Sequence, residues 1–343
     1  MLLGLLLTLL GSLAMYSKEE DKAQAEFLRL SERIAVETQR RFTEPEFGLK
    51  GARGFFGSSE HVSLDEFRAY AASVDLTHEL HGVYGIGLIE HVQRDGVERF
   101  EAEVRREGAP DFAVKTSGHA PDLYIVKYTE PMADNAAAWG LDVGTEGKRR
   151  AAIEHAIASG KPTLTAPLTL IGDPRHRPDF LLMLPMYKRS VALYSDEDRR
   201  RQLMGVLIAP IVTEELLRGL AEQASGQLDI EVFLGTDTRK ANQVYGAKGH
   251  VGTSAETPRA SSATDTDTQR GLRFSATRSL VMGDRVFTLR TGTLPAFDAA
   301  HGHPSTSVVV LSGLALSTLM AWVAWMQASW RARAEARAQS LAT

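Results

Sequence analysis

Two apolar stretches near the ends of the 343-residue chain, Met1–Tyr16 and Ser305–Trp330, carry no charged side chain. Those ends constrain the fold more than anything between them. Ser305 to Trp330 reads STSVVVLSGLALSTLMAWVAWMQASW. A bilayer core of about 30 Å takes roughly 20 apolar residues in a helix, so this run is long enough to span it. Trp322, Trp325 and Trp330 lie toward its end, where an aromatic belt sits, and Arg331, Arg333 and Arg337 follow. Arginine just beyond a span favours the cytoplasmic side. Met1 to Tyr16 (MLLGLLLTLLGSLAMY) is shorter than a full span and has no basic residue before it. It reads as a truncated span, with a cleavable signal ending near Ser12-Leu13-Ala14 as the alternative. Either reading places Ser17 to Pro304 outside the cytoplasm, anchored in the inner membrane with its central region periplasmic.

The chain as a whole has the composition of ordinary globular protein. Hydrophobic residues make up 43% of the chain, charged residues 24%, and the net charge is −4. No concentrated basic face recruits nucleic acid. The absence of cysteine excludes disulfides, thiolate metal sites and a cysteine nucleophile. No H-E-x-x-H, G-x-S-x-G or kinase motif occurs. Gly144-Thr-Glu-Gly147-Lys148-Arg149 lacks the glycine spacing and hydroxyl of a phosphate loop. Asp265-Thr-Asp267 lacks the glycine and terminal glutamate of a calcium loop. His301-Gly-His303 reads as a solvated pair. No metal, cofactor or catalytic constellation is expected.

Lys18 to Phe42 has no Gly or Pro and places Phe27, Leu30 and Ile34 on one narrow seam. This predicts a stalk helix, packed either on its own domain or against a second copy. Ser63-Leu-Asp-Glu66 is a capping box before a further helix. Val83–Val92 alternates as a strand, with glycines where another backbone approaches. Val97–Val104 predicts a helix stopped at Gly108, Leu123–Tyr128 a strand, and Thr145–Ser159 a helix closed by Gly160. Leu164–Ile171 and Phe180–Met186 read as paired strands, and the charged stretch Ser190–Gln202 as a connector. After it come a strand over Leu203–Ile211, a helix capped by Thr213, and a strand over Leu228–Leu234. A polar loop over Lys248–Gly271 precedes strands over Leu272–Leu280 and Arg285–Thr293, joined at Met282-Gly283-Asp284. The fold class is α+β on antiparallel sheets.

Across Val83–Lys188 a series of short motifs runs in a specific order. Gly85-Ile-Gly87-Leu is followed by Arg94, Phe100-Glu101 and Gly108. Tyr128-Thr-Glu130-Pro131, Asn135 and Gly140-Leu-Asp142 come next. Arg149-Arg150-Ala151, Ala156-x-x-x-Gly160, Leu164-Thr-Ala-Pro167 and Leu184-Pro-Met-Tyr-Lys188 complete it. This order resembles the CHASE domain, the extracytoplasmic sensor of receptor histidine kinases and nucleotide cyclases. The resemblance implies a long stalk helix and two tandem PAS-like domains, flanked by transmembrane helices. The boundaries it suggests are a span or signal anchor at 1–16, a stalk at 17–47 and a membrane-distal ligand-binding domain at 48–200. A membrane-proximal domain at 201–304, a span at 305–327 and a cytoplasmic stub at 328–343 follow.

The same resemblance implies a small-molecule pocket in the distal domain. In plant members the ligand is a cytokinin, held by an aspartate and by a threonine of the L-T-A-P segment. Thr165 falls on that threonine and Asp134 within one residue of the aspartate. Tyr124, Tyr128, Trp139 and Leu164 complete the expected wall. Read as residues alone, Tyr124 and Trp139 fit a packed core equally well, and Thr165 fits a strand hydroxyl. Asp134 fits a loop acid or helix cap, and Glu130 and Asp142 fit structural acids bonded to backbone or to Arg149 and Arg150. The function implied is a sensor without enzyme activity of its own, acting as a homodimer and relaying ligand binding to a cytoplasmic kinase or cyclase. An exported adaptor or structural protein is the alternative, and a periplasmic enzyme a weaker one.

Overall fold

The structure is a computed structural model that describes residues 2–75, 79–172, 179–188, 193–246, 272–301 and 304–340. The chain forms two compact units. One is Ser31–Gly292; the other combines Met1–Leu30 with Thr293–Thr343. The polar loop expected over Lys248–Gly271 and His303 of the histidine pair lie outside the described residues.

The first element is α1, Leu2–Ser58. It is longer than the stalk expected to stop at 47, because Pro45 is accommodated within it and the apolar seam continues. Phe27, Leu30 and Ile34 are buried, and so are Phe42, Leu49, Ala52 and Phe56. The seam therefore packs within its own chain and is not open to a partner copy. Phe42 meets Phe287 edge-on at 5.0 Å, and Gln39 bonds both the N–H and the carbonyl of Val281 at 3.0 and 2.8 Å.

Two antiparallel sheets fill the Ser31–Gly292 unit. Helix α2 (Leu64–Ser73) opens on the capping box, with both Ser63–Glu66 bonds made. Strand β1 (Ile86–Gln93), helix α3 (Val97–Arg106) and strand β2 (Asp122–Glu130) follow. Then come the short α4 (Met132–Asn135), helix α5 (Gly147–Ser159), strand β3 (Thr163–Leu164) and strand β4 (Phe180–Tyr187). Helix α6 (Asp196–Arg201) turns the expected connector into a capped helix, and β5 (Leu203–Ile211) completes the first sheet. Its strand order is β2-β1-β5-β4-β3. The change-over expected at residue 200 thus falls before a strand in the middle of the sheet, and the first sheet ends at Ile211. Gly87 answers to a close approach: a Cβ there would lie 2.9 Å from the Tyr128 carbonyl oxygen.

The strand expected over Leu164–Ile171 shrinks to two residues. Pro167 has no N–H to continue a ladder, and beyond it, among the described residues, only Leu168 exchanges backbone bonds, with Asp179 at 3.0 and 2.9 Å. Thr213 does not cap a helix; it is the first residue of α7 (Thr213–Leu216), and its N–H is taken by the Asp179 carboxylate at 2.9 Å. After α8 (Leu220–Gln223), the second sheet is built from β6 (Leu228–Leu234), β7 (Gln243–Gly246), β8 (Ser275–Met282) and β9 (Arg285–Thr293), in the order β7-β6-β9-β8. Strand β7 was not anticipated.

The turn between β8 and β9 fastens the second sheet to the first. Asp284 accepts the Leu164 N–H at 2.8 Å, and Arg285 donates to the Leu164 carbonyl at 2.7 Å. Gly283 has φ +60°, and a Cβ there would crowd the Leu164 nitrogen at 3.2 Å.

In the other unit, α9 (Pro295–Ala300) carries Phe297, which is buried against Phe27 edge-on at 6.3 Å. Helix α10 (Pro304–Ser340) contains Leu311–Trp330, the one stretch among the described residues long and apolar enough to cross a membrane.

Candidate functional site

One face of the first sheet carries the main apolar core. Ile89, Tyr124, Val126, Leu181, Met183, Val206 and Ile208 point to it from the strands, and Ala152, Ile153, Ala156 and Ile157 cover it from α5. At the N-terminal end of α5 the cover separates from the sheet, leaving a cavity of about 330 Å³. Its buried surface is mainly apolar: Val126, Val143, Leu170, Leu181, Ile208 and Val212 line it. Its polar lining comes from Thr129, Asp134, Asn135 and Arg149. An apolar chamber of this size with few polar groups is the usual form of a small-molecule site.

Local structure fixes those polar groups. The α5 N-terminus is capped by Glu146, whose carboxylate accepts the Lys148 and Arg149 N–H groups at 3.0 Å each. That places Arg149 in the first turn, where it donates to the Thr169 carbonyl at 3.0 Å. Burial pushes the Arg149 guanidinium below its ordinary range, with Glu146 acting in the opposite sense. Asn135 donates to the carbonyls of Tyr84 and Pro131 at 3.0 and 3.1 Å, holding α4 beside the start of β1. Asp134, on the same short helix, is exposed.

Of the six expected pocket residues, Asp134 lines this cavity and the other five do not. Thr165 is fully buried, and its hydroxyl accepts the Leu181 N–H at 3.0 Å. Leu164 is engaged by Asp284 and Arg285 in the clamp between the sheets. Tyr124 packs in the core with the Arg150 guanidinium 5.1 Å from its ring; burial pushes its hydroxyl up to about 12. Trp139 stacks edge-on with Phe112 at 5.4 Å and donates its indole N–H to the Lys127 carbonyl at 3.2 Å.

Tyr128 lies on the opposite face of the sheet. There it stacks on Phe67 at 5.4 Å, and its hydroxyl donates to the Glu107 carboxylate at 2.8 Å with the Val62 carbonyl 3.1 Å away. The cause is a bulge: Leu88 pairs with Tyr128 but Ile89 pairs with Val126, so Lys127 is an extra residue in β2. A bulge shifts the two-residue alternation by one. It brings Thr129, rather than Tyr128, to the cavity.

The structural acids are accounted for by backbone. Asp142 is buried and accepts the N–H groups of Tyr124 and Gly144, both at 3.0 Å, and the Thr116 hydroxyl at 2.8 Å. Glu130 accepts the Met132 N–H at 3.0 Å and pairs with Arg68 at 3.1 Å. Sequence reasoning did not single out Thr129, Asn135 as a wall residue, or Arg149 as a cavity group. Arg149 had one available signal: it follows a glutamate cap and so falls in the first turn of a helix bordering the sheet.

A CHASE-domain family profile matches residues 60–245, just over half of the chain. The chain belongs to the CHASE domain family. The cavity and all of its described lining fall within the matched segment. Among solved structures, an extracellular ligand binding receptor from Desulfohalobium retbaense aligns at 12% identity with a TM-score of 0.46, covering 78% of this chain. The chain spans 40% of the length of that receptor. The periplasmic sensory domain of the Campylobacter jejuni chemoreceptor Tlp1 aligns at 11% identity with a TM-score of 0.43, covering 84% of this chain and 93% of that domain. No curated protein matches the chain in sequence.

Proposed function

We propose that this chain is the extracytoplasmic input region of a membrane-anchored sensor, and that the cavity beneath the start of α5 holds its small-molecule ligand. The observation that carries this reading is the chamber itself. It is mostly apolar with a few polar groups, and it lies inside the CHASE segment. Its walls come from β2, β4 and β5 and from α4 and α5, so a bound molecule would contact both the sheet and its cover. The first sheet and its helices serve as the ligand-binding PAS-like domain, and the second sheet as a smaller domain nearer the membrane. The apolar ends anchor the chain in the inner membrane as a homodimer, and ligand binding is relayed to a cytoplasmic output such as a kinase or cyclase. With the α1 seam occupied, any dimer contact uses another surface.

The test is saturable binding. Metabolite pools and single compounds are screened against the purified full chain for a rise in melting temperature, as expected when a ligand binds only the folded state. Ala138→Trp places an indole in the cavity wall, and Leu181→Phe fills the apolar surface. Both should remove the shift while the chain stays folded. Binding that survives both variants would place the ligand elsewhere and overturn the reading.

A further inference from the structure

Arg149 and Arg150 are adjacent but differ in how fully they are used. Arg150 is committed to structure: it donates to the Gly144 and Asp122 carbonyls at 2.8 and 2.9 Å and reaches the carboxylates of Asp122 and Glu154 at 3.3 Å. Arg149 is the only cation on the cavity wall among the described residues. Its side chain is 12% exposed. One of its terminal nitrogens bonds Thr169; the other is 4.0 Å from Glu146, too far for a hydrogen bond. Its Nε is buried and has no hydrogen-bond partner among the described residues. A guanidinium carries five N–H donors and stays charged, so a buried Nε–H without an acceptor is costly.

We propose that Arg149 anchors the carboxylate of a monocarboxylate ligand with an apolar body; this rests on the reading of the cavity as the ligand site. A planar carboxylate matches the guanidinium fork and supplies the acceptors that the protein withholds. Val126, Leu181 and Ile208 give the rest of the molecule an apolar surface. Among the described lining residues the charge count selects a single negative charge. One cation faces one anion, and Asp134 on the same cavity opposes a second. A phosphate monoester would bring extra charge beside Asp134, and among the described lining residues there is no further cation to neutralise it.

The probes are hexanoate, benzoate and phenylacetate, their primary amides, and phenyl phosphate. Each is titrated calorimetrically into the full chain in lipid nanodiscs, with empty nanodiscs as control. At least one carboxylate should bind saturably, and its amide and phenyl phosphate should bind at least tenfold more weakly. Arg149→Gln should reduce that carboxylate affinity at least tenfold, and Arg149→Lys should fall between the two. The melting temperature of ligand-free Arg149→Gln should stay within a few degrees of the parent or rise, since the side chain is held for a ligand. Equal binding of carboxylate and amide, or unchanged carboxylate affinity in Arg149→Gln, overturns the anchor. If the amides bind and Ala138→Trp stops them, the cavity is a ligand site and only the anionic class is wrong. If no probe of either charge binds, the monocarboxylate class is rejected, and the cavity is judged by the wider metabolite screen.

Discussion

Thr165 and Asp142 show how a polar side chain suited to a ligand is spent on the fold. Thr165 has the type and position to touch a ligand, yet its oxygen is the acceptor for Leu181 in the neighbouring strand. Thr165→Val keeps the shape and orphans that N–H, which should cost about 1–3 kcal/mol. Denaturant unfolding should show the loss, and ligand affinity should hold. Asp142→Ala orphans two buried N–H groups at once, so its destabilisation should exceed that of Thr165→Val. Asp134→Ala, at an exposed position, should stay within about 0.5 kcal/mol of the parent. Equal unfolding midpoints for the Asp142 and Asp134 variants would contradict this ordering.

At the level of elements, spans were legible and facings less so. Alternation and caps located β1, β2, β4, β5 and α5 because each pattern is local, and Gly160 at φ +71° closes α5 as expected. The bulge at Lys127 left no local mark. Strict alternation groups Tyr124, Val126 and Tyr128, whereas the extra residue puts Tyr128 against Phe67. The pocket was equally hidden, because its wall gathers residues more than 120 positions apart, from Tyr84 to Val212. The buried side of α1 was visible as a seam, but what covers it was not. That helix also carries an acid-sensitive contact. Glu37 accepts from Arg40 and Arg41, at 2.8 and 3.0 Å, and from Gln223; the bond to Arg40 does most to hold its carboxyl down at about 2. A carboxyl depressed by folding stabilises the folded state above its unfolded value, and that contribution fades as pH falls toward 2. Glu37→Gln should therefore narrow the stability difference between pH 7 and pH 3. An unchanged acid limb in urea melts across that range would refute the assignment.

For the whole molecule, the proposed function requires a mechanical route from the first sheet to the rest of the chain. Two routes are visible within the Ser31–Gly292 unit. One is α1, which contacts the second sheet through Gln39 and Phe42 and holds Gly283 through Glu46 at 2.9 Å. The other is the Leu164 clamp, where the β8–β9 turn grips the strand leading to Thr165. Arg285→Met removes one half of the clamp and Asp284→Ala the other. Their joint effect on stability should differ from the sum of the single effects by about 0.5 kcal/mol or more, since both act on one residue. Strict additivity would mean that the two bonds are independent and that the turn is not a coupling element. The proposed relay also requires the segment after the apolar stretch to lie inside the cell. Leu311–Trp330 is apolar and unburied, and the arginines of the sequence follow directly after it. Basic residues beside a span are retained in the cytoplasm. A reporter fused after Thr343 should be active only as a cytoplasmic fusion, and replacing Arg331, Arg333 and Arg337 with Glu should weaken that bias. A fusion active in the periplasm would reverse the topology, and with it the direction in which a ligand in the cavity is read.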